Sequence, residues 1–211
     1  MTDSDNGKAG AREDLCRFLS ACYYDPSADF TEERLFESIL AAAIAIDAEL
    51  AEDARRLGDA FVAQDLQALL IDYTRLFVGP SQPVAMPYAS FWLSRDPSMR
   101  YEATMAVLDF YEQGGFDVSD EFHDFPDHIA VELEFLYLLK FSRNQAQESG
   151  DNDQVMSADA MHRRFVVEHL VNWISPFADA IRAGAETAFY RELAGFTQRF
   201  VRLEAGLVRL H

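Results

Sequence analysis

Pro126-Asp127-His128 stands directly ahead of Ile129-Ala130-Val131-Glu132-Leu133-Glu134-Phe135-Leu136-Tyr137-Leu138-Leu139, a run too apolar for a surface helix. An acid and a histidine at the mouth of a buried helix are costly unless they bond to something. His128 and Glu132 fall one turn apart, where such a pair could serve as acid and base or help bind a metal. The competing reading is a helix entrance held by local bonds. Asp124 or Asp127 would then cap free N–H groups, and Pro126 suits a first turn. The positive end of the helix dipole disfavours a protonated His128. Glu132 and Glu134, set in the apolar run, each need a partner if buried, such as an arginine from another helix.

A second constellation runs Tyr73-x-x-Leu76-Phe77-Val78-Gly79-Pro80, then Met86-Pro87-Tyr88-Ala89-Ser90 and Phe91-Trp92. A proline-braced loop with that many rings can present a low-entropy binding surface. Folding the rings back onto the core is the other option, and the loop's sequence leaves both open. The third constellation is Phe165-x-x-x-His169-Leu170-x-x-Trp173-x-x-x-Phe177, a core stripe in which His169 reads as a satisfied interior histidine.

Catalytic signatures are missing. No G-x-x-x-x-G-K-[ST], G-x-G-x-x-G or G-x-S-x-G occurs, and Lys8 and Lys140 are the only lysines. Glu-x-x-His pairs of the helical di-iron kind do not occur either. Asp120-x-x-His123 and Asp159-x-x-His162 come nearest, and chance explains them best.

The elements that must position these residues have helical period throughout. Leu15, Phe18, Leu19 and Cys22 mark a helix over 13–24, ended by Asp25-Pro26. Thr31 opens the next, a charged helix follows over about 47–63, and Leu66 to Phe77 is a third strong stripe, stopped by Gly79-Pro80. Pro97 starts another helix, closed by Gly114-Gly115. Residues 142–159, rich in Asn, Gln, Ser, Gly and Asp, read as a mobile loop, and 1–10 as disordered. Pro176 should kink or end the helix that carries His169. Phe189, Leu193, Phe196, Phe200, Leu203, Leu207 and Leu210 form a seam for another helix. The expected architecture is all-α, one globular multi-helix bundle spanning 1–211.

The formal net charge of −18 disfavours nucleic acid and anionic lipid and favours a basic partner. Cys16 and Cys22 are six apart and read as free buried thiols. No apolar run reaches membrane-spanning length and 1–10 is polar, so a cytoplasmic protein without stable membrane insertion is expected.

Together the motifs resemble the TorD/DmsD family of chaperones for molybdenum-containing redox enzymes. The matching pieces are Tyr73-x-x-Leu76-Phe77-x-Gly79-Pro80, Pro87-Tyr88-x-Ser90, Pro126-x-His128 with Glu132, and His169-Leu170-x-x-Trp173-x-x-x-Phe177, in family order. The resemblance implies the family's all-α fold, no catalysis and no cofactor. It implies binding of a twin-arginine signal peptide and of an apo-molybdoenzyme until its cofactor is loaded. The peptide-binding residues it carries over are Tyr73, Leu76, Phe77, Pro87, Tyr88, Asp127 and His128. Met86-Pro87-Tyr88 stands where the family often has Pro-Pro or Pro-Trp. An acidic protein would attract the basic start of such a leader, and a groove lined by Leu76, Phe77 and Tyr88 would bury its apolar middle. Two alternatives stay open from the residues alone: a helical metalloenzyme or nucleotide hydrolase using His128 and Glu132, and an acidic scaffold acting through dimerisation. Monomer and homodimer are both compatible with the sequence.

Overall fold

A computed structural model describes residues 3–80, 82–118 and 124–209, and every regular element among them is helical. The helices are α1 (Asp3–Ala21), α2 (Asp29–Glu32), α3 (Leu35–Ile46), α4 (Ala48–Val62), α5 (Leu66–Tyr73), α6 (Ala89–Leu93) and α7 (Pro97–Gly114), then α8 (Ile129–Ser149), α9 (Asn152–Arg164), α10 (Val171–Gly184) and α11 (Ala188–Arg209). Two wide π-turns extend regular helix: Thr74–Val78 continues α5, and Phe165–Leu170 joins α9 to α10. α8 lies between α1 and α9, while α11 packs on α10 and α4.

Local chemistry sets the boundaries. Asp47, Asp65, Asp96 and Asp151 each accept a backbone N–H in the first turn of α4, α5, α7 and α9. α7 closes on Gly115 at φ 81°, a left-handed conformation that glycine adopts without a Cβ penalty. α8 does the same at Gly150, φ 77°.

Three expectations are corrected. Residues 142–159 are not a loop: α8 runs to Ser149 and α9 begins at Asn152, leaving a corner of Gly150 and Asp151. The polar composition belongs to solvent-facing helix ends, pinned by buried Ala146 and by Asn144 Nδ2 donating to Glu13 at 2.8 Å. Within 1–10, residues from Asp3 onward belong to α1, while 1 and 2 lie outside the described residues. Pro176 does not end its helix; α10 continues to Gly184. The helix widens earlier, at Phe165–Leu170.

Three aromatic clusters fill the interior. Phe177 meets Tyr23, Phe77, Trp92 and Trp173. Phe36, Phe61 and Phe189 form the second. Tyr111, Phe135 and Phe165 form the third. Burying each such ring stabilises the fold by about 1.5–3 kcal/mol. Cys16 and Cys22 are free and buried, as their spacing suggested, and burial pushes the Cys22 thiol up to about 12. The α11 seam faces inward through Phe200; the Leu207 side chain and Leu210 lie outside the described residues.

A tyrosine and carboxylate cluster at the mouth of helix α8

The Pro126–His128 turn is bolted to the Pro87–Ser90 turn by backbone. Ile129 N–H donates to the Pro87 carbonyl at 2.8 Å, and Ala89 N–H to the Asp127 carbonyl at 2.9 Å, so Tyr88 and His128 pair as an isolated antiparallel bridge. Two motifs separated in sequence are therefore one structural unit.

Asp127 is fully buried beneath it. One carboxylate oxygen accepts from Ser90 N–H at 2.8 Å, and the other from the Thr104 hydroxyl at 3.3 Å. Asp127 therefore caps α6, not α8. The cap of α8 is His128 itself, whose Nδ1 accepts from Ala130 N–H at 3.1 Å. That bond requires an unprotonated Nδ1. Burial pulls the His128 pKa below its ordinary value, against the opposing charges of Asp124 and Asp127.

The His128 ring lies between two tyrosines. Tyr24 stacks on it with centroids 6.2 Å apart, and Tyr88 meets it edge-on at 5.5 Å. Each tyrosine donates to a carboxylate: Tyr24 to Glu134 at 3.0 Å, Tyr88 to Asp124 at 2.8 Å. Ser20 donates to the same Glu134 oxygen at 3.1 Å. Burial first, then the neighbouring acid (Glu134, Asp124 or Asp25), holds Tyr24, Tyr88 and Tyr73 above the usual tyrosine range, so they remain donors. Phe125 packs on Tyr88 at 5.5 Å and is 62% exposed.

Among the described residues, no lysine, arginine or histidine forms an ion pair with Asp25, Asp124 or Glu134. Three buried acids elsewhere are answered. Asp72 is paired with Arg75, Asp53 with Arg56 and Arg199, and Glu204 with Arg12, Lys140 and His162. The mouth of α8 is thus a patch of aromatic faces and uncompensated negative charge.

The structure brings together Pro87, Tyr88, Asp127 and His128; Tyr73 is buried against Phe77 and Tyr190, its hydroxyl donating to the Tyr23 carbonyl at 3.5 Å. Leu76 and Phe77 are not at the surface: Leu76 is fully buried, and Phe77 packs on Tyr23, Phe177 and Tyr190. The expected open groove lined by Leu76, Phe77 and Tyr88 is therefore corrected. Both lie in the π-turn over 74–78 and continue the buried stripe of Leu69 and Tyr73, before Gly79, at φ 62°, turns the chain away. Trp92 also folds back, its Nε1 donating to the Met86 carbonyl at 2.8 Å.

His128 and Glu132 do not form a side-chain pair. Glu132 is sealed, with His169 Nε2 at 2.7 Å and Trp173 Nε1 donating at 3.1 Å. Burial pushes Glu132 up. Burial pulls His169 down, but the Glu132 charge and hydrogen bond outweigh it and raise it. The partner of this buried acid is a histidine, not the expected arginine. No group of three or more His, Cys, Asp and Glu among the described residues is placed to hold a metal. Asp159 and His162 turn instead to Arg143 and Glu204, and Asp120-x-x-His123 lies outside the described residues.

Sequence reasoning missed Tyr24, Asp25 and Phe125 as site residues. The signal was Tyr23-Tyr24-Asp25-Pro26, read only as a helix stop.

The family model described as nitrate reductase delta subunit matches residues 44–179. The chaperone protein TorD of Photobacterium profundum is 29% identical over 140 residues, 66% of this chain and 63% of that protein. The TorD of Aliivibrio salmonicida is 27% identical over 150 residues, covering 71% and 68% of the two chains. The TorD of Vibrio cholerae is 25% identical over 193 residues, covering 91% and 81%. The match thus spans under two thirds of the length of the first of these. A solved structure of a candidate redox enzyme maturation protein from Archaeoglobus fulgidus overlaps 94% of this chain and 93% of its own, with TM-score 0.48 and 22% identity, too loose a likeness to argue from.

Proposed function

The chain belongs to the nitrate reductase delta subunit family, and from that premise we propose that it is a chaperone for a redox enzyme rather than a catalyst. It binds the twin-arginine signal peptide and apo-form of a molybdopterin-dependent oxidoreductase in the cytoplasm, assists cofactor insertion and delays export. The names of the TorD relatives support the chaperone class. No helix among the described residues is long and apolar enough to cross a membrane.

The observation that carries the peptide reading is the uncompensated acid at the mouth of α8. Asp25, Asp124 and Glu134 flank Tyr24 and Tyr88, which are partly open to solvent. A guanidinium is planar, donates in a fork and stacks on aromatic faces, so it fits both features. Each charge-assisted hydrogen bond would contribute about 1.5–3 kcal/mol, and a stacked ring roughly 0.5–1 kcal/mol at such a site. The net charge of −18 adds faster encounter with a basic segment.

Calorimetric titration with a synthetic twin-arginine leader tests this. Saturable one-to-one binding that weakens with salt is expected. No binding of any leader encoded beside the gene would overturn it.

A further inference from the structure

Beyond the mouth, the same face of α8 continues. His128, Val131, Glu134, Phe135 and Leu138 follow steps of three and four and share one side of the helix. Across from them stand Tyr111 at the end of α7, then Phe116 and Val118 in the extended chain after it. Between the two walls lies a groove of ≈ 260 Å³. Phe135 forms its floor, with Tyr111 at 4.7 Å and Phe116 at 5.9 Å between ring centroids. The close approach depends on Gly114, where a Cβ would meet the Phe135 ring at 2.8 Å.

This groove joins the acidic mouth. Glu134 belongs to both: it lines the groove and accepts the Tyr24 hydroxyl. Tyr111 also belongs to both, since its hydroxyl donates to the Pro126 carbonyl at 2.8 Å. Among the described residues, the charged ones in the groove lining are Asp117 and Glu134, both acids. The volume is below the range of about 300–1,000 Å³ typical of small-molecule sites, which suits a few side chains rather than a whole cofactor.

We infer that this groove takes the aliphatic side chains of a peptide whose arginine or lysine occupies the tyrosine and carboxylate mouth, so that one basic-then-apolar segment lies along a single face of α8. The inference rests on the peptide reading above and gives it an apolar subsite that Leu76 and Phe77, sealed in the core, do not provide. Charge complementarity selects the occupant, because acids frame one end and apolar side chains the other. His128 and Leu138 are ten residues apart, or ~15 Å along a helix. An extended peptide covers that span with about four or five residues. The cation and the farthest apolar anchor of the ligand should have at most that separation.

Two synthetic peptides test it: one with two arginines followed by a leucine-rich stretch, and one with those leucines replaced by serine. Each is titrated into the wild type, Leu138→Gln and Val118→Ser. The leucine peptide should bind Leu138→Gln at least tenfold more weakly and Val118→Ser about threefold more weakly. The serine peptide should bind wild type and both variants alike. Val118 lies outside any helix and is only partly buried, so its variant carries the test should Leu138→Gln melt early. Equal affinity of the leucine peptide for all three proteins would overturn the groove and leave the peptide reading standing. If neither peptide binds the wild type, both readings fail.

Discussion

Glu134 stands on helix α8 and Glu204 reaches α8 from α11, and the fold treats them in opposite ways. Glu204, 1% exposed, meets Lys140 at 2.7 Å, Arg12 at 3.1 Å and His162 at 3.1 Å. It ties α11 to α1, α8 and α9. Burial pushes its carboxyl up, but Lys140 and His162 more than reverse that and hold it well below the usual range. Glu134 is only partly buried and meets two hydroxyls. A carboxylate answered by two cations and a histidine is spent on structure. One answered by hydroxyls alone still has charge to offer a ligand.

The largest effect on stability should come from the paired end. Glu204→Gln leaves the largely but not fully buried Lys140 and Arg12 without their counter-charge, a loss of about 3 kcal/mol and up to about 5. At roughly 2–4 °C per kcal/mol the Tm should fall by about 6–20 °C, as thermal denaturation would show. Because the folded pKa of Glu204 is depressed, its contribution is present above the unfolded value of 4.5 and lost as pH falls through the folded one. An unchanged Tm in this variant would erase the contrast.

Next comes Asp127→Ala, which strands the Ser90 N–H and the Thr104 hydroxyl. A loss of about 1–3 kcal/mol is expected, read as a lower urea midpoint with the slope unchanged. The resemblance placed Asp127 among the peptide-binding residues, and its full burial with bonds to Ser90 and Thr104 fits holding the turn.

A smaller effect depends on pH. His128 caps α8 only when Nδ1 is unprotonated, and its folded pKa lies below 6.5. Its stabilisation, about 0.5–2 kcal/mol as a cap, is therefore complete above pH 6.5 and lost as pH falls through the folded value. His128→Asn retains a capping side chain without the titration. The variant should lose less stability than the wild type between pH 7 and 5, as denaturant midpoints would report.

These effects divide according to what the sequence made legible. Helical period exposed α5 and α11, the unbroken apolar run over 129–139 exposed α8, and Pro97 and Gly114-Gly115 marked the limits of α7. The corner at Gly150-Asp151 was hidden because helix ends that face water have the composition of a loop. His169 was readable as interior, since it sits on an aromatic stripe. Leu76 and Phe77 continue the buried stripe of Leu69 and Tyr73, so period alone placed them inside; the open groove came from the family resemblance, not from the pattern. Tyr24 and Glu134 could not be joined by inspection: 110 residues separate them, and only the packing of α1 on α8 brings hydroxyl and carboxylate to 3.0 Å.

Glu134→Gln should have the smallest effect on stability, under about 1 kcal/mol, since hydroxyl partners remain and the site is partly exposed. Its effect belongs to binding, and there it is decisive. The direct measurement is the affinity of one twin-arginine leader peptide for wild type and Glu134→Gln, beside the same peptide with both arginines changed to glutamine. A loss of at least tenfold from either change, with no further loss when both are combined, is the predicted result. Equal affinity in all four titrations would contradict a mouth of α8 built to receive a cation.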